Sequence, residues 1–183
     1  NRRQGRLLTR AAYNSSGGVL GALALRAEEI YETLDHSGKL AARQVFLHLV
    51  LTDRDAKRTS RRVLRAELMP EEGNRQVVSN VLDAFQKYSL LTFDHDPTTR
   101  SPTVQIAHDA LIRVWERLKD WIDANQENLR MRQSLTSVSQ EWLNSNQEPS
   151  FLASGSRLAQ FEGLLENDTL ILSEAEKQYL NAS

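Results

Sequence analysis

His108 and Asp109 are the residues of this chain whose types and placement most readily suggest chemistry. They end the alternating stretch Thr-Val-Gln-Ile-Ala (103–107), in which Val104 and Ile106 fall on one face of a short strand. They also open the run Ala-Leu-Ile-Arg-Val-Trp (110–115), whose apolar positions have helical spacing. A histidine at such a junction can aim a hydrogen-bonding ring at a neighbour. An aspartate there can equally cap the helix and meet its positive end. The residues alone therefore support either a contact to a partner or ordinary capping.

The other histidines carry less. His48 lies inside an apolar run with no second ligand at metal spacing and reads as a core or edge residue, and the four histidines, His36 among them, are scattered. His95, between Asp94 and Asp96, reads as part of a solvated turn rather than a metal site. The absence of cysteine excludes disulfides and thiolate metal sites. Gly17-Gly18 has neither the preceding strand nor the following Lys-Ser/Thr of a phosphate loop. With no nucleophile elbow, His-Glu-x-x-His helix or calcium loop either, the segment by itself reads as no enzyme, with no metal and no cofactor of its own.

Arg54, Lys57, Arg58, Arg61, Arg62 and Arg65 form a basic cluster diluted by Asp53, Asp55 and Glu67. No aromatic residue interleaves with it to stack on bases. It reads as a solvated loop facing an acidic neighbour, with a phosphate-backbone contact by Arg61, Arg62 and Arg65, joined by Arg75, as the alternative. The 183 residues carry 23 basic and 24 acidic side chains, a net charge of −1, so the whole chain makes no electrostatic case for nucleic acid or an anionic membrane. No apolar run approaches the roughly 20 residues that cross a bilayer. We expect a cytoplasmic protein and, from the missing initiator Met, a segment of something longer.

The elements that must position the His-Asp pair follow from periodicity. Leu7, Leu8, Ala11, Ala12 and Tyr13 mark a basic lead-in ending at Asn14-Ser-Ser-Gly-Gly18. A helix with Leu23, Ala27, Ile30, Tyr31 and Leu34 inward follows, and Asp35 caps a second whose apolar residues continue to Leu51. Residues 52–60 read as a loop, Arg61–Arg65 as a short strand, and Ala66–Met69 as a helical turn. Asn74 caps a third helix to Tyr88, and Leu90–Phe93 and Thr103–Ala107 form a hairpin. This is the element order of a winged helix-turn-helix domain.

Asp109–Asn146 has no Gly or Pro and predicts two helices, or one long bent one, with the polar gap 123–128 exposed. Ser156–Glu166, with Leu158, Phe161 and Leu165 inward, and a capping box at Ser173-Glu-Ala-Glu176 predict two more. Trp115, Trp121 and Trp142 fall on apolar stripes and read as core anchors. The expected fold is mainly α: a lead-in (1–20) ending a preceding helical subdomain, a winged helix with a small β-hairpin wing (21–108), and an all-helical arm (109–183).

The order of Tyr-Asn-Ser-Ser-Gly-Gly-Val-Leu-Gly-Ala-Leu (13–23), a winged helix, Val-Gln-Ile-Ala-His-Asp-Ala-Leu-Ile-Arg-Val-Trp (104–115) and a Trp-rich helical arm resembles one known arrangement. It is similar to the segment that follows the ATPase core in bacterial STAND signal-transduction NTPases of the type that often carries a C-terminal WD-repeat propeller. In that group the winged helix ends in a Met-His-Asp-like motif whose histidine reaches the β-phosphate of bound ADP and holds the closed, inactive state. Ala107-His108-Asp109 matches that position, with Ala107 in place of Met, and Glu116 stands where relatives commonly have a Pro. The resemblance implies that His108 donates to a phosphate held by an upstream domain while Asp109 orients the turn. It further implies ADP or ATP with Mg for the full-length protein, the upstream NTPase domain and a downstream WD-repeat or similar sensor as partners, and room for oligomerisation on activation. Two readings of other classes stand beside this regulatory one: a winged-helix DNA-binding regulator that reads with residues 75–88, and a bare protein-interaction scaffold.

Overall fold

A computed structural model describes residues 18–52, 57–69, 73–166 and 170–183. The basic lead-in and Arg54 lie outside these. The fold is mainly α with a small β wing.

Helix α1 (Gly18–Thr33) starts where Gly18 takes a φ of +66°, a conformation that costs glycine little. Its Ala27, Ile30 and Tyr31 are buried. Asp35 caps α2 (His36–His48), its Oδ1 accepting from the Gly38 N–H at 2.7 Å. Leu40 stays 51% exposed, so α2 is not apolar all round.

Helix α2 also ends three residues earlier than its apolar run suggested. Val50–Thr52 forms strand β1, paired antiparallel with β2 (Arg58–Ser60) in the register Val50↔Ser60, Leu51↔Thr59 and Thr52↔Arg58. Arg58–Ser60, expected to belong to a loop, is therefore the return strand of a hairpin. Valine and threonine suit a pleated surface, and once a partner strand is present the pairing overrides helical spacing.

The wing is a three-stranded antiparallel sheet in the order β3 (Val63–Leu64), β5 (Pro102–Ile106), β4 (Leu91–His95). Val63, Leu91, Val104 and Ile106 supply its buried face. A 3-10 turn (Arg65–Leu68) leads toward α3 (Arg75–Gln86), which buries Val78, Val81, Leu82 and Phe85. Asn74 occupies the N-cap position without a side-chain capping bond. At the β4–β5 turn the Asp96 carboxylate accepts from the Thr98 and Thr99 N–H groups, so the polar tip builds a turn.

The stretch after His108 is three helices: α4 (Ala110–Val114), α5 (Glu116–Ala124) and α6 (Gln126–Asn144). Trp115, with ψ at 101°, ends α4 and starts α5, so the chain bends there with Glu116, not proline, at the next position. The second break is at Asn125, which is buried within the gap expected to be exposed and donates its amide to the Trp121 carbonyl at 2.8 Å. Helix α7 (Gly155–Glu162) stops at Gly163, which changes the phase of the chain. Leu164 is buried instead, and Leu165, expected inward, is 56% exposed. Ser173 and Glu176 close a reciprocal capping box on α8 (Glu174–Ala182).

All three tryptophans are buried. Trp115 sits at the centre of an aromatic cluster, with ring centroids 5.0 Å from Phe46, 5.5 Å from Trp121, 6.0 Å from Phe85 and 6.4 Å from Tyr31. The bend at Trp115 thus lies inside the core shared by α1, α2, α3 and α5.

Candidate functional site

Strand β5 delivers the His-Asp pair to its junction. Ile106 pairs with Leu91, and the Ala107 N–H donates to the Leu90 carbonyl at 3.0 Å, so the backbone is held up to the residue before His108. The His108 carbonyl then accepts from the Leu111 N–H at 2.9 Å and begins the first turn of α4. Its side chain is exposed and makes no hydrogen bond to the described residues.

Asp109 behaves differently from an ordinary cap. It lies in the helical region of backbone space and its carboxylate makes no capping bond to its own helix. Its Oδ1 instead accepts from the Ser60 N–H at 3.0 Å and the Ser60 hydroxyl at 2.6 Å, at the end of β2. The capping reading of Asp109 is corrected accordingly: this aspartate fastens the junction to the β1–β2 hairpin.

Within the described part of the basic cluster, Lys57 and Arg62 stay exposed while Arg58, Arg61 and Arg65 are half-buried and engaged with the fold. Arg61 turns inward, Nε donating to the His48 carbonyl at 2.8 Å and an Nη lying 2.9 Å from His48 Nε2. Arg58 pairs with Asp123 on α5, and Arg62 lies 3.5 Å from Asp94. Arg65 reaches Ser79 and stacks over Phe93. Of the four proposed nucleic-acid contacts, Arg62 and Arg75 are exposed, while Arg61 and Arg65 are half-buried.

Around His48 the fold builds a buried polar network that the sequence reading passed over. Arg132, from α6, is fully buried and places an Nη 2.9 Å from His48 Nδ1. Glu67 lies 3.5 Å from His48 Nε2. Glu176, from α8, accepts from the Thr136 hydroxyl and from the Ser173 N–H. Arg132 and Glu176 are fully buried and Arg61 and Glu67 half-buried, so two cations are offset by two carboxylates.

Burial, reinforced by Arg132 and Arg61, holds His48 well below the ordinary histidine range, so the ring is neutral. Burial, with Arg61 adding to it and Glu176 and Glu67 opposing, brings Arg132 down to about 9, which leaves it charged at neutral pH. Burial likewise lowers Arg61, against Glu67 and Glu176. One signal was available in the sequence: Arg132 interrupts the apolar stripe Leu129, Leu135, Trp142 of α6, where a lone charge needs partners. The Gln133 carboxamide adds a second tie: turned so that donor meets acceptor, its nitrogen donates to the Thr52 carbonyl (2.9 Å) and its oxygen accepts from the Thr52 N–H (2.8 Å).

Two clefts open on the described part of the chain. One of about 460 Å³ is lined by Leu64, Glu67, Met69, Thr136 and Leu172, and one of about 510 Å³ by Leu25, Glu28, Trp115 and Arg117. His108 lines neither. Among the described residues no group of three or more histidines and carboxylates is arranged to hold a metal ion. No helix among them is long and apolar enough to cross a membrane.

A family model described as nSTAND1, Novel STAND NTPase 1, matches residues 1–150. The chain belongs to this STAND NTPase family. No curated protein and no solved structure matches it. Membership ties the chain to an NTPase-associated role. The nSTAND1 match takes in His108, Asp109, Arg61 and Arg132 but stops before α8, so Glu176 of the buried network lies beyond it.

Proposed function

We propose that this nSTAND1 chain is a non-catalytic regulatory module in which His108 donates to the phosphate of a nucleotide held by an upstream NTPase domain. The observation that carries the reading is the division of labour at the junction: Asp109 is committed to Ser60 while the His108 ring beside it is exposed and uncommitted. A donor presented in this way fits a phosphate oxygen, because imidazole donates a hydrogen bond whether neutral or charged. A contact made only in the ADP form supplies the differential affinity that a two-state switch needs.

In this reading α1–α3 with the β3–β5–β4 sheet act as a winged helix. The C-terminal helices act as the arm that passes the state to a WD-repeat or similar sensor, in a cytoplasmic protein that uses ATP and Mg through its upstream domain. The DNA-binding alternative is weakened because Arg61 and Arg65, two of its four proposed contacts, are engaged within the fold.

The test is His108→Ala in the full-length protein, with ADP affinity measured by calorimetry. Loss of one charge-assisted hydrogen bond should weaken ADP by about tenfold or more and raise basal signalling. Unchanged ADP affinity would sink the reading.

A further inference from the structure

We propose that the Ser60–Asp109 hydrogen bonds are the output of the His108 junction, and that the β1–β2 hairpin carries this output to α6. The physiological input rests on the phosphate reading of His108. The coupling itself is a property of this chain and can be measured without nucleotide.

The covalent route from His108 to α6 is poorly suited to transmission. Helix α4 has five residues, and the chain breaks at Trp115 and again at Asn125 before α6 begins. The hairpin route is continuous. Asp109 holds Ser60 through both its N–H and its hydroxyl. Every residue of β2 pairs with one of β1. At the far edge of the hairpin, the Gln133 carboxamide of α6 lies against both backbone groups of Thr52, and with its amide turned so that donor meets acceptor it pairs with both.

Two further ties run the same way. Arg58 of β2 reaches Asp123 on α5. Arg61, just beyond β2, meets His48, whose other ring nitrogen faces Arg132 of α6. A displacement of Asp109 therefore acts on a short strand that is tied to α6 at two places, one through backbone pairing and one through buried side chains. Ser60 and Asp109 are positioning residues: neither is assigned a contact with nucleotide, and both fix where His108 sits relative to α6.

The measurement is amide hydrogen exchange on the 183-residue chain, comparing the parent with Ser60→Ala, Asp109→Ala and Asp109→Asn. If the hairpin is the relay, Ser60→Ala and Asp109→Ala accelerate exchange in the Leu129–Thr136 part of α6 by about fivefold or more, alongside the hairpin itself. Asp109→Asn keeps an acceptor oxygen for Ser60 and restores most of that protection. Acceleration confined to residues 57–60 and 109–112 would overturn the proposal. Should Asp109→Ala fail to fold, Ser60→Ala, which removes one hydroxyl, still carries the test. The ADP affinity of His108→Ala is an independent result, so failure of the phosphate reading and failure of the relay are separable.

Discussion

Replacing Trp115 with alanine should destabilise the chain by about 3–5 kcal/mol, the range for removing a large aromatic side chain from a packed core. Trp115 is buried against Tyr31, Phe46, Phe85 and Trp121, and its indole N–H donates to Glu28 Oε2 at 2.8 Å. The substitution removes ring contacts contributed by four helices and also loosens the bend that separates α4 from α5. Glu28 would keep its pairing with Arg117, so the loss is dominated by packing. In thermal unfolding this corresponds to a midpoint lower by roughly 6–20 °C for a chain of this size. A shift of only a degree or two would show that the aromatic cluster contributes little. Trp115→Phe retains a ring in the cluster and should cost visibly less.

Arg132→Ala is the second large effect, expected at about 3–5 kcal/mol because it removes one partner from a buried charged set and leaves the others uncompensated. His48 Nδ1 loses its facing Nη, and Glu176 and Glu67 lose a nearby buried cation. The check is a denaturant-unfolding cycle with Glu176→Gln. Because both residues belong to one network, the two changes together should cost less than the sum of the separate losses. Strict additivity would mean that Arg132 and Glu176 act independently.

The same network gives the chain a pH dependence of defined sign. His48 stays neutral when folded, whereas in the unfolded chain it takes up a proton as the pH falls through its ordinary value of 6.5. The stability is fully present above that value and is lost progressively as the pH drops below it toward the lowered folded value. The slope from this one group reaches at most about 1.4 kcal/mol per pH unit. Unfolding midpoints between pH 7.5 and 5.5 should fall with pH in the parent, and the fall should be reduced in His48→Gln. An unchanged slope in the variant would assign the effect to other groups.

Much of the local architecture was legible because it depends on neighbours in sequence. The Asp35 and Ser173 caps, the β4–β5 hairpin with a third strand at Val63, and the inward tryptophans all follow from spacing and turn chemistry within a few residues. The end of α2 was not legible. Val50-Leu-Thr continues an apolar run that suits helix or strand, and only the arrival of Arg58–Ser60 alongside it selects the strand.

For the candidate site, the chain by itself determined that His108-Asp109 ends a strand and opens a helix, because alternation gives way there to helical spacing. It left the use of the two side chains open, since capping and outward contact need the same residues. Tertiary structure decided that Asp109 binds Ser60, 49 positions away, and leaves His108 exposed. It also turned Arg61 from a loop cation into a half-buried partner of His48, joined by the buried Arg132 across 84 positions. Side-chain partners of this kind are fixed by which surfaces the packed helices and strands bring within hydrogen-bond reach. Burial then obliges those charges to find each other, and no local pattern encodes that outcome.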